Sequence, residues 1–223
     1  MTEKVTLFID DKEIKAEKGE KVLWAALSND IFIPNLCAIK EEKRPSASCR
    51  LCFVEVEGRS APVTSCNLSV KEGMKIKTRS PRIDRLVKTA FELLISDHEV
   101  KCASCPAKKS CNLITIAKER GLKLKQKRFK NLEREKTVDD SAETFTLDRY
   151  KCVLCGRCVW TDREKAKAGV LGFTQRGLNR KISTYLDQNL SDSKCTKCAE
   201  CVEVCPVGAL FFKNDAATSK LER

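Results

Sequence analysis

Long apolar runs are missing from this sequence. No charge-free stretch approaches the ~18 residues that a membrane-spanning helix needs. The first residues, Met1-Thr2-Glu3-Lys4-Val5, show neither a basic segment followed by an apolar one nor a paired arginine. The expectation is a cytoplasmic protein, without secretory or twin-arginine export. Nucleotide fingerprints are also missing. There is no G-x-G-x-x-G after a strand and no G-x-x-x-x-G-K-[ST], and Gly169-Val170-Leu171-Gly172 is too short a signal to replace them. The radical-enzyme spacing C-x3-C-x2-C does not occur. Nothing in the chain is equipped for two-electron chemistry. Histidine occurs once, and aromatic residues make up only 6% of the chain, which argues against base stacking and a nucleic-acid partner.

Against these absences stand 14 cysteines and a net charge of +12 in 223 residues. Hydrophobic residues at 42% and charged residues at 33% describe a globular chain with room for one large domain or two to three small ones. Such a chain buries a core without disulfide staples. Without an export signal, this many thiols read as metal ligands. Assembled iron–sulfur sites are anionic, and surplus Lys and Arg can offset that charge.

The predicted class is α+β, in five segments. Residues 1–79 read as a β-grasp unit of the plant-type ferredoxin kind. Lys4 to Asp10 alternates polar and apolar residues, Asp10-Asp11 turns, and Lys12 to Ala16 pairs back. A helix opening at Gly19-Glu20 carries Val22, Leu23, Ala26 and Leu27 on one face. Strands follow at Leu51 to Glu57, Ser60 to Val63 and Met74 to Thr78. Residues 80–121 read as a small helical unit, with Ser80 capping a helix whose first residue is Pro81. A shorter helix runs from Asn112 to Arg120. Residues 122–146 read as a connecting segment, 147–214 as a two-cluster ferredoxin-like unit, and 215–223 as a polar tail. Lys123, Lys125, Lys127, Arg128, Lys130, Arg134 and Lys136 make the connection basic, which is read as a solvated face.

Cys37, Cys49, Cys52 and Cys66 are spaced C-x11-C-x2-C-x13-C. Four thiolates drawn from a loop and its flanking strands suit a 2Fe–2S cluster. A four-cysteine zinc site is the alternative, although zinc ribbons use two close pairs. His98, Cys102, Cys105 and Cys111 form H-x3-C-x2-C-x5-C, read as a 4Fe–4S site with one imidazole ligand. Its alternatives are a capping histidine and a zinc site with three cysteines.

Cys152, Cys155 and Cys158 form one C-x2-C-x2-C triplet. Cys195, Cys198, Cys201 and Cys205 extend a second, with Pro206 next. In this bacterial two-cluster run the fourth cysteine ligates the other cluster, so Cys205 is expected to join Cys152, Cys155 and Cys158 around a 4Fe–4S cluster. Cys195, Cys198 and Cys201 then need a ligand four positions after Cys158, where Asp162 stands. Four clusters of four ligands need one more than 14 Cys and 1 His supply. A carboxylate ligand would make that iron more labile. Alternatively Asp162 caps a helix over Arg163 to Ala168, and the site is a 3Fe–4S cluster or takes a non-protein ligand.

From Val5 to about Phe212, the four groups in this order resemble one family. It is the electron-transfer subunit family shared by the diaphorase part of NAD-linked hydrogenases and the N-terminal region of the large iron–sulfur subunit of respiratory complex I. The N-terminal extension of iron-only hydrogenases looks similar. The most specific element is His98-x3-Cys102-x2-Cys105-x5-Cys111 between the two ferredoxin types. A chain ending soon after Cys205-Pro206-Val207-Gly208-Ala209-Leu210 resembles the small diaphorase subunit of cytoplasmic NAD(P)-linked nickel–iron hydrogenases. Asp162, where a Cys often stands, and the long Arg163 to Lys194 segment depart from the family pattern.

The resemblance implies a non-catalytic wire carrying single electrons, with flavin and NAD(P) held by another chain. Its expected partners are a flavin- and NAD(P)-binding diaphorase subunit and the small and large subunits of a nickel–iron hydrogenase. The two C-terminal clusters would lie towards the hydrogenase and the His-ligated one towards the flavin. The same wire could instead serve a formate dehydrogenase. A zinc-bearing nucleic-acid-binding protein using the basic run is the rival from another class.

Overall fold

A computed structural model describes residues 3–130 and 137–214. Arg134 and Lys136 of the basic run, and the tail from 215 to 223, lie outside the described residues. Contacts divide the chain into two compact units, Met1–Glu92 with Glu119–Leu122, and Leu93–Lys118 with Lys123–Arg223.

In the first unit, β1 (Lys4–Ile9) pairs antiparallel with β2 (Lys12–Glu17), placing Leu7 opposite Ile14. Asp10 and Asp11, at φ 49° and 64°, supply the left-handed two-residue turn that matches strand twist. Helix α1 (Val22–Leu27) follows, then β3 (Phe53–Val56), β4 (Val63–Thr64) and β5 (Lys75–Lys77). The sheet order is β2-β1-β5-β3-β4, with β1 and β5 parallel. Val5, Leu7 and Ile9 project from one face of β1 into a core shared with Val22, Leu23 and Ala26. Helix α1 starts two residues later than its sequence suggests. The Val70 amide bonds to the Glu20 carbonyl at 2.8 Å, and Lys21 bridges to Ser69, so this stretch is extended. Cys52 and Cys66 belong to the same buried core.

Helix α2 (Pro81–Ser96) begins as expected: the Ile83 amide donates to Ser80 Oγ at 3.1 Å. Ile83, Val87, Phe91 and Ile95 are its buried apolar residues, at four-residue spacing.

The second unit contains α3 (Asn112–Arg120), β6 (Val138–Asp139), β7 (Phe145–Asp148), α4 (Arg157–Glu164), β8 (Gly172–Thr174), β9 (Lys181–Ser183), α5 (Glu200–Glu203) and β10 (Leu210–Phe212). One sheet runs β10-β7-β6, and β8-β9 form a separate hairpin. Strand β6 falls inside the stretch read as a connecting segment. Asp139 ties it down, because its buried carboxylate accepts the Leu190 amide at 2.9 Å and the Ser141 amide at 3.1 Å.

The two cysteine triplets have the same backbone. Leu154 and Gly156 take φ of 53° and 80°, and Lys197 and Ala199 take 58° and 60°. Each triplet thus turns twice through the left-handed region before α4 or α5 begins at the residue preceding its third cysteine. Gly156 has a second reason to be glycine, since a Cβ there would sit 3.0 Å from Phe173. Asp162 lies inside α4, which has already begun at Arg157, so it does not cap a helix over 163–168.

Candidate metal centres

The first group is assembled by the loop before β3 and the turn after β4. All four cysteines are buried. They come as two pairs. The Cys37 and Cys49 sulfurs are 3.4 Å apart, and Cys52 is hydrogen-bonded to Cys66. The Cys49 thiol holds Cys37 down to about 5 against the cost of burial, helped by the Cys49 amide and the Ser48 and Ser46 hydroxyls. Cys49 is raised in turn, by Cys37 first and then by burial. In the second pair, Cys52 lowers Cys66 and is itself raised by it. Ser65 is completely buried, and its hydroxyl meets no nitrogen or oxygen partner. The group whose negative form it favours is the Cys52 sulfur. A buried hydroxyl with no other partner fits a permanently charged sulfur beside it.

The second group stands on a loop between α2 and α3. A short 3-10 turn holds Cys102 and leads to Cys105, and Cys111 precedes α3. Burial raises the Cys111 thiol against the Ile114 and Leu113 amides of that helix N-terminus, with Cys105 and Cys102 close enough to raise it further. Burial also raises Cys105, opposed by the Ala107 amide and the positive charge of Lys151. His98 Nδ1 lies 2.9 Å from the Lys151 carbonyl oxygen. A carbonyl only accepts, so Nδ1 carries the proton and the Nε2 lone pair is left to bind a metal.

The third group lines a small cavity of about 20 Å³. Cys152, Cys155, Cys158 and Cys205 all face it, among Leu147, Ile182 and other apolar neighbours. Burial pushes Cys155 up to about 12, with Cys205 and Cys152 adding to the rise and the Arg157 amide and charge opposing it. Cys158 is raised well above the ordinary thiol range by burial and then by Cys155, Cys152 and Cys205. The Leu210 amide reaches Cys205 Sγ at 3.4 Å, and the Leu154 amide reaches Cys152 Sγ at 3.4 Å. Amide donors aimed at sulfur in an apolar cavity suit an anionic cluster.

The fourth group is more open. Cys195 and Cys201 are half-buried and Cys198 is exposed. Burial first, and then the charges of Cys195, Cys198 and Asp162, take Cys201 up to about 12. Asp162 is buried, and its Oδ2 accepts the Leu171 amide at 2.9 Å. Among the described residues no three Cys, His, Asp or Glu groups converge on one point at the spacing of a single bound ion.

Several neighbours were not singled out from the sequence. The hydroxyls of Ser46, Ser48, Thr64 and Ser65 stand beside sulfurs of the first group and favour their negative form. The available signal was hydroxyl residues directly before Cys49 and Cys66. Lys151 and Arg157 place positive charge beside Cys105 and Cys155. Gly208 lies so close to the second group that an added Cβ would be 2.6 Å from Cys105 Sγ. No sequence spacing points to these three.

The folds and donor sets together define an iron–sulfur protein of the ferredoxin class. A family profile described as 2Fe-2S iron-sulfur cluster binding domain matches residues 2–81. Another, NADH-quinone oxidoreductase subunit 3, ferredoxin-like domain, matches residues 143–211. The solved structure of an NAD+-reducing [NiFe]-hydrogenase in the H2-reduced state contains a similar chain, with a TM-score of 0.83 and 30% identity, covering 94% of this chain and 87% of that one. The gamma subunit of the NAD-reducing hydrogenase HoxS from Cupriavidus necator is 28% identical over 94% of this chain and 87% of its own. Subunit HndD of the NADP-reducing hydrogenase from Solidesulfovibrio fructosivorans is 36% identical over 92% of this chain, but only 36% of its own. The 78 kDa subunit of NADH-ubiquinone oxidoreductase from Neurospora crassa is 33% identical over 94% of this chain and 28% of its own. The chain spans 36% of HndD and 24% of the alpha subunit of a Geobacter sulfurreducens NADPH-Fe(3+) oxidoreductase. This chain belongs to the iron–sulfur subunit family that NAD(P)-reducing hydrogenases share with the large iron–sulfur subunit of complex I. No helix among the described residues is long and apolar enough to cross a membrane.

Proposed function

We propose that the chain is a relay carrying single electrons between a flavin- and NAD(P)-binding subunit and a nickel–iron hydrogenase module in the cytoplasm. The first unit is a β-grasp domain whose Cys37, Cys49, Cys52 and Cys66 hold a 2Fe–2S cluster. His98, Cys102, Cys105 and Cys111 hold a 4Fe–4S cluster on the small helical segment. The two-cluster ferredoxin-like segment holds one 4Fe–4S cluster on Cys152, Cys155, Cys158 and Cys205. It holds a second on Cys195, Cys198 and Cys201, with Asp162 as fourth ligand. When bound, such clusters exchange one electron at a time.

The observation that carries this reading is the cavity lined by Cys152, Cys155, Cys158 and Cys205, three from one triplet and one from beyond the other. Pairing in the first group supports a two-iron centre over zinc, because each iron of such a centre takes one pair of sulfurs, whereas zinc takes four around one point. Throughout, the protein's part is to desolvate the sulfurs and to aim amides and hydroxyls at them. The amides and hydroxyls favour added negative charge, desolvation opposes it, and the fixed surroundings limit rearrangement when an electron arrives.

The test is anaerobic isolation of the native complex through a tag on this chain. Iron, acid-labile sulfide, flavin, nickel, molybdenum and tungsten are then measured. Iron and sulfide with flavin and nickel is the expected result. Molybdenum or tungsten without nickel would place the same relay in a formate dehydrogenase or a related enzyme. Zinc in place of iron and sulfide would refute the relay.

A further inference from the structure

Lys151 meets the second group with both ends of the residue. Its carbonyl accepts His98 Nδ1–H at 2.9 Å. Its side chain folds back over Gly208, where a single Cβ position lies 3.4 Å from Lys151 Cδ and 2.6 Å from Cys105 Sγ. Lys151 and the Cys105 sulfur therefore converge on one small patch of backbone. The side chain is only 13% exposed, so its charge is weakly screened. Its ion-pair partner is Asp148, which is also buried and also acts on Cys105, with the opposite sign. Glu99 faces the same cluster of charges and is itself paired with Lys101 at 2.6 Å. Next to Lys151 in sequence is Cys152, of the third group.

We propose that Lys151 is the positioning and tuning residue of the His98, Cys102, Cys105 and Cys111 centre. Its carbonyl selects the histidine nitrogen that binds iron, and its ammonium raises the reduction potential of the centre. The inference rests on reading that group as an iron–sulfur site. Reduction adds one negative charge, and a fixed cation whose field reaches a ligating sulfur favours the reduced form in a poorly solvated site. Asp148 works against it. The pair thus sets the potential by a difference of two buried charges, and removing either one shifts it in a direction fixed in advance. Arg157 stands in the corresponding place beside Cys155 and Cys205 of the third group. Each of these two groups therefore has a cation beside at least one of its cysteines.

The experiment is an EPR-monitored redox titration of the full chain with its clusters assembled, in wild type and in Lys151→Met, Lys151→Arg and Asp148→Asn. The change at Asp148 keeps a side-chain oxygen to accept the Tyr150 amide and removes only the charge. At the potential where the wild-type centre is half reduced, Lys151→Met lowers its reduced-to-oxidised ratio about tenfold, which is 59 mV for a one-electron couple. Lys151→Arg returns the ratio to within about twofold of wild type, because the charge is restored. Asp148→Asn moves the ratio in the opposite direction to Lys151→Met. The midpoint of the 2Fe–2S centre stays where it was in all three. Nitrogen hyperfine coupling from His98 persists in Lys151→Met, since the carbonyl is still present. An unchanged ratio in Lys151→Met with intact clusters overturns the proposal, as does an equal shift in every centre. Should Lys151→Met fail to assemble, Asp148→Asn decides by sign alone: a downward shift, or none, overturns it. If the wild type shows no nitrogen-coupled centre, the reading of the group itself is wrong, and that is seen before any variant is compared.

Discussion

The Asp162 carboxylate accepts the Leu171 amide at 2.9 Å, and Cys201 lies within reach of its charge. The bond fixes one carboxylate oxygen to the loop after α4 and leaves the group buried beside the fourth set of cysteines. Asp162→Cys is expected to give a cluster with four sulfur ligands, seen as a changed Mössbauer or EPR signature at that centre alone. Asp162→Asn keeps the acceptor for Leu171 and removes the anionic ligand, so iron occupancy at the fourth centre should fall while the other three stay full. An unchanged spectrum in both variants would remove Asp162 from the ligand set.

That position also shows how far the sequence could be read. The spacing of four residues after Cys158, with one ligand too few in the chain, was enough to point to Asp162. The alternative, a helix starting at Arg163, failed because helix onset is decided by the backbone of the triplet. Gly156 turns through the left-handed region, and α4 begins at the very next residue. The hairpin at Asp10-Asp11, the alternation along β1 and the Ser80 cap were legible because each is a local signal in consecutive residues. Lys151, Arg157 and Gly208 were not. Their importance comes from contacts between segments distant in sequence, such as Gly208 against Cys105, and no periodicity records those.

Oxidative damage should begin at the fourth centre. Cys198 is the one exposed cysteine of the 14, and a carboxylate holds iron less firmly than a thiolate. Under slow ferricyanide oxidation, the first iron lost should come from this centre, giving a 3Fe–4S signal before any loss from the buried first group. Mössbauer spectra taken along the oxidation would check the order. Early loss of the 2Fe–2S signal would contradict it.

The Ser65 hydroxyl separates stability from redox tuning. It is fully buried without a nitrogen or oxygen partner, so Ser65→Ala removes no protein hydrogen bond of the ordinary kind. The thermal stability of the variant should stay within about 1 kcal/mol of wild type. The sulfur of Cys52 loses a donor, however, and the reduced 2Fe–2S centre loses that stabilisation. Its midpoint should move to lower potential while the other centres hold theirs. A large loss of stability with an unmoved midpoint would mean that the hydroxyl serves the fold and not the cluster.

Gly208 is a different kind of constraint, one of space. Its φ is not in the left-handed range, so an alanine there meets no backbone penalty. The obstacle is the Cβ itself, placed 2.6 Å from Cys105 Sγ and 3.5 Å from the Ala107 Cβ. Both neighbours sit on the loop that carries the second group, whereas Gly208 follows the last cysteine of the third. The Asn112 amide also bonds to the Pro206 carbonyl at 2.9 Å, so the two segments cannot simply slide apart. Gly208→Ala should therefore cost about 1–3 kcal/mol through overpacking. The strain should fall first on Cys105, which is half-buried on a short turn, before it reaches the cavity of the third group. The expected result is a lower melting temperature with selective loss or distortion of the His-ligated signal. Normal melting and a normal spectrum would show that the loop from Cys102 to Cys111 yields easily, and that close approach at Gly208 is not what holds Cys105 in place.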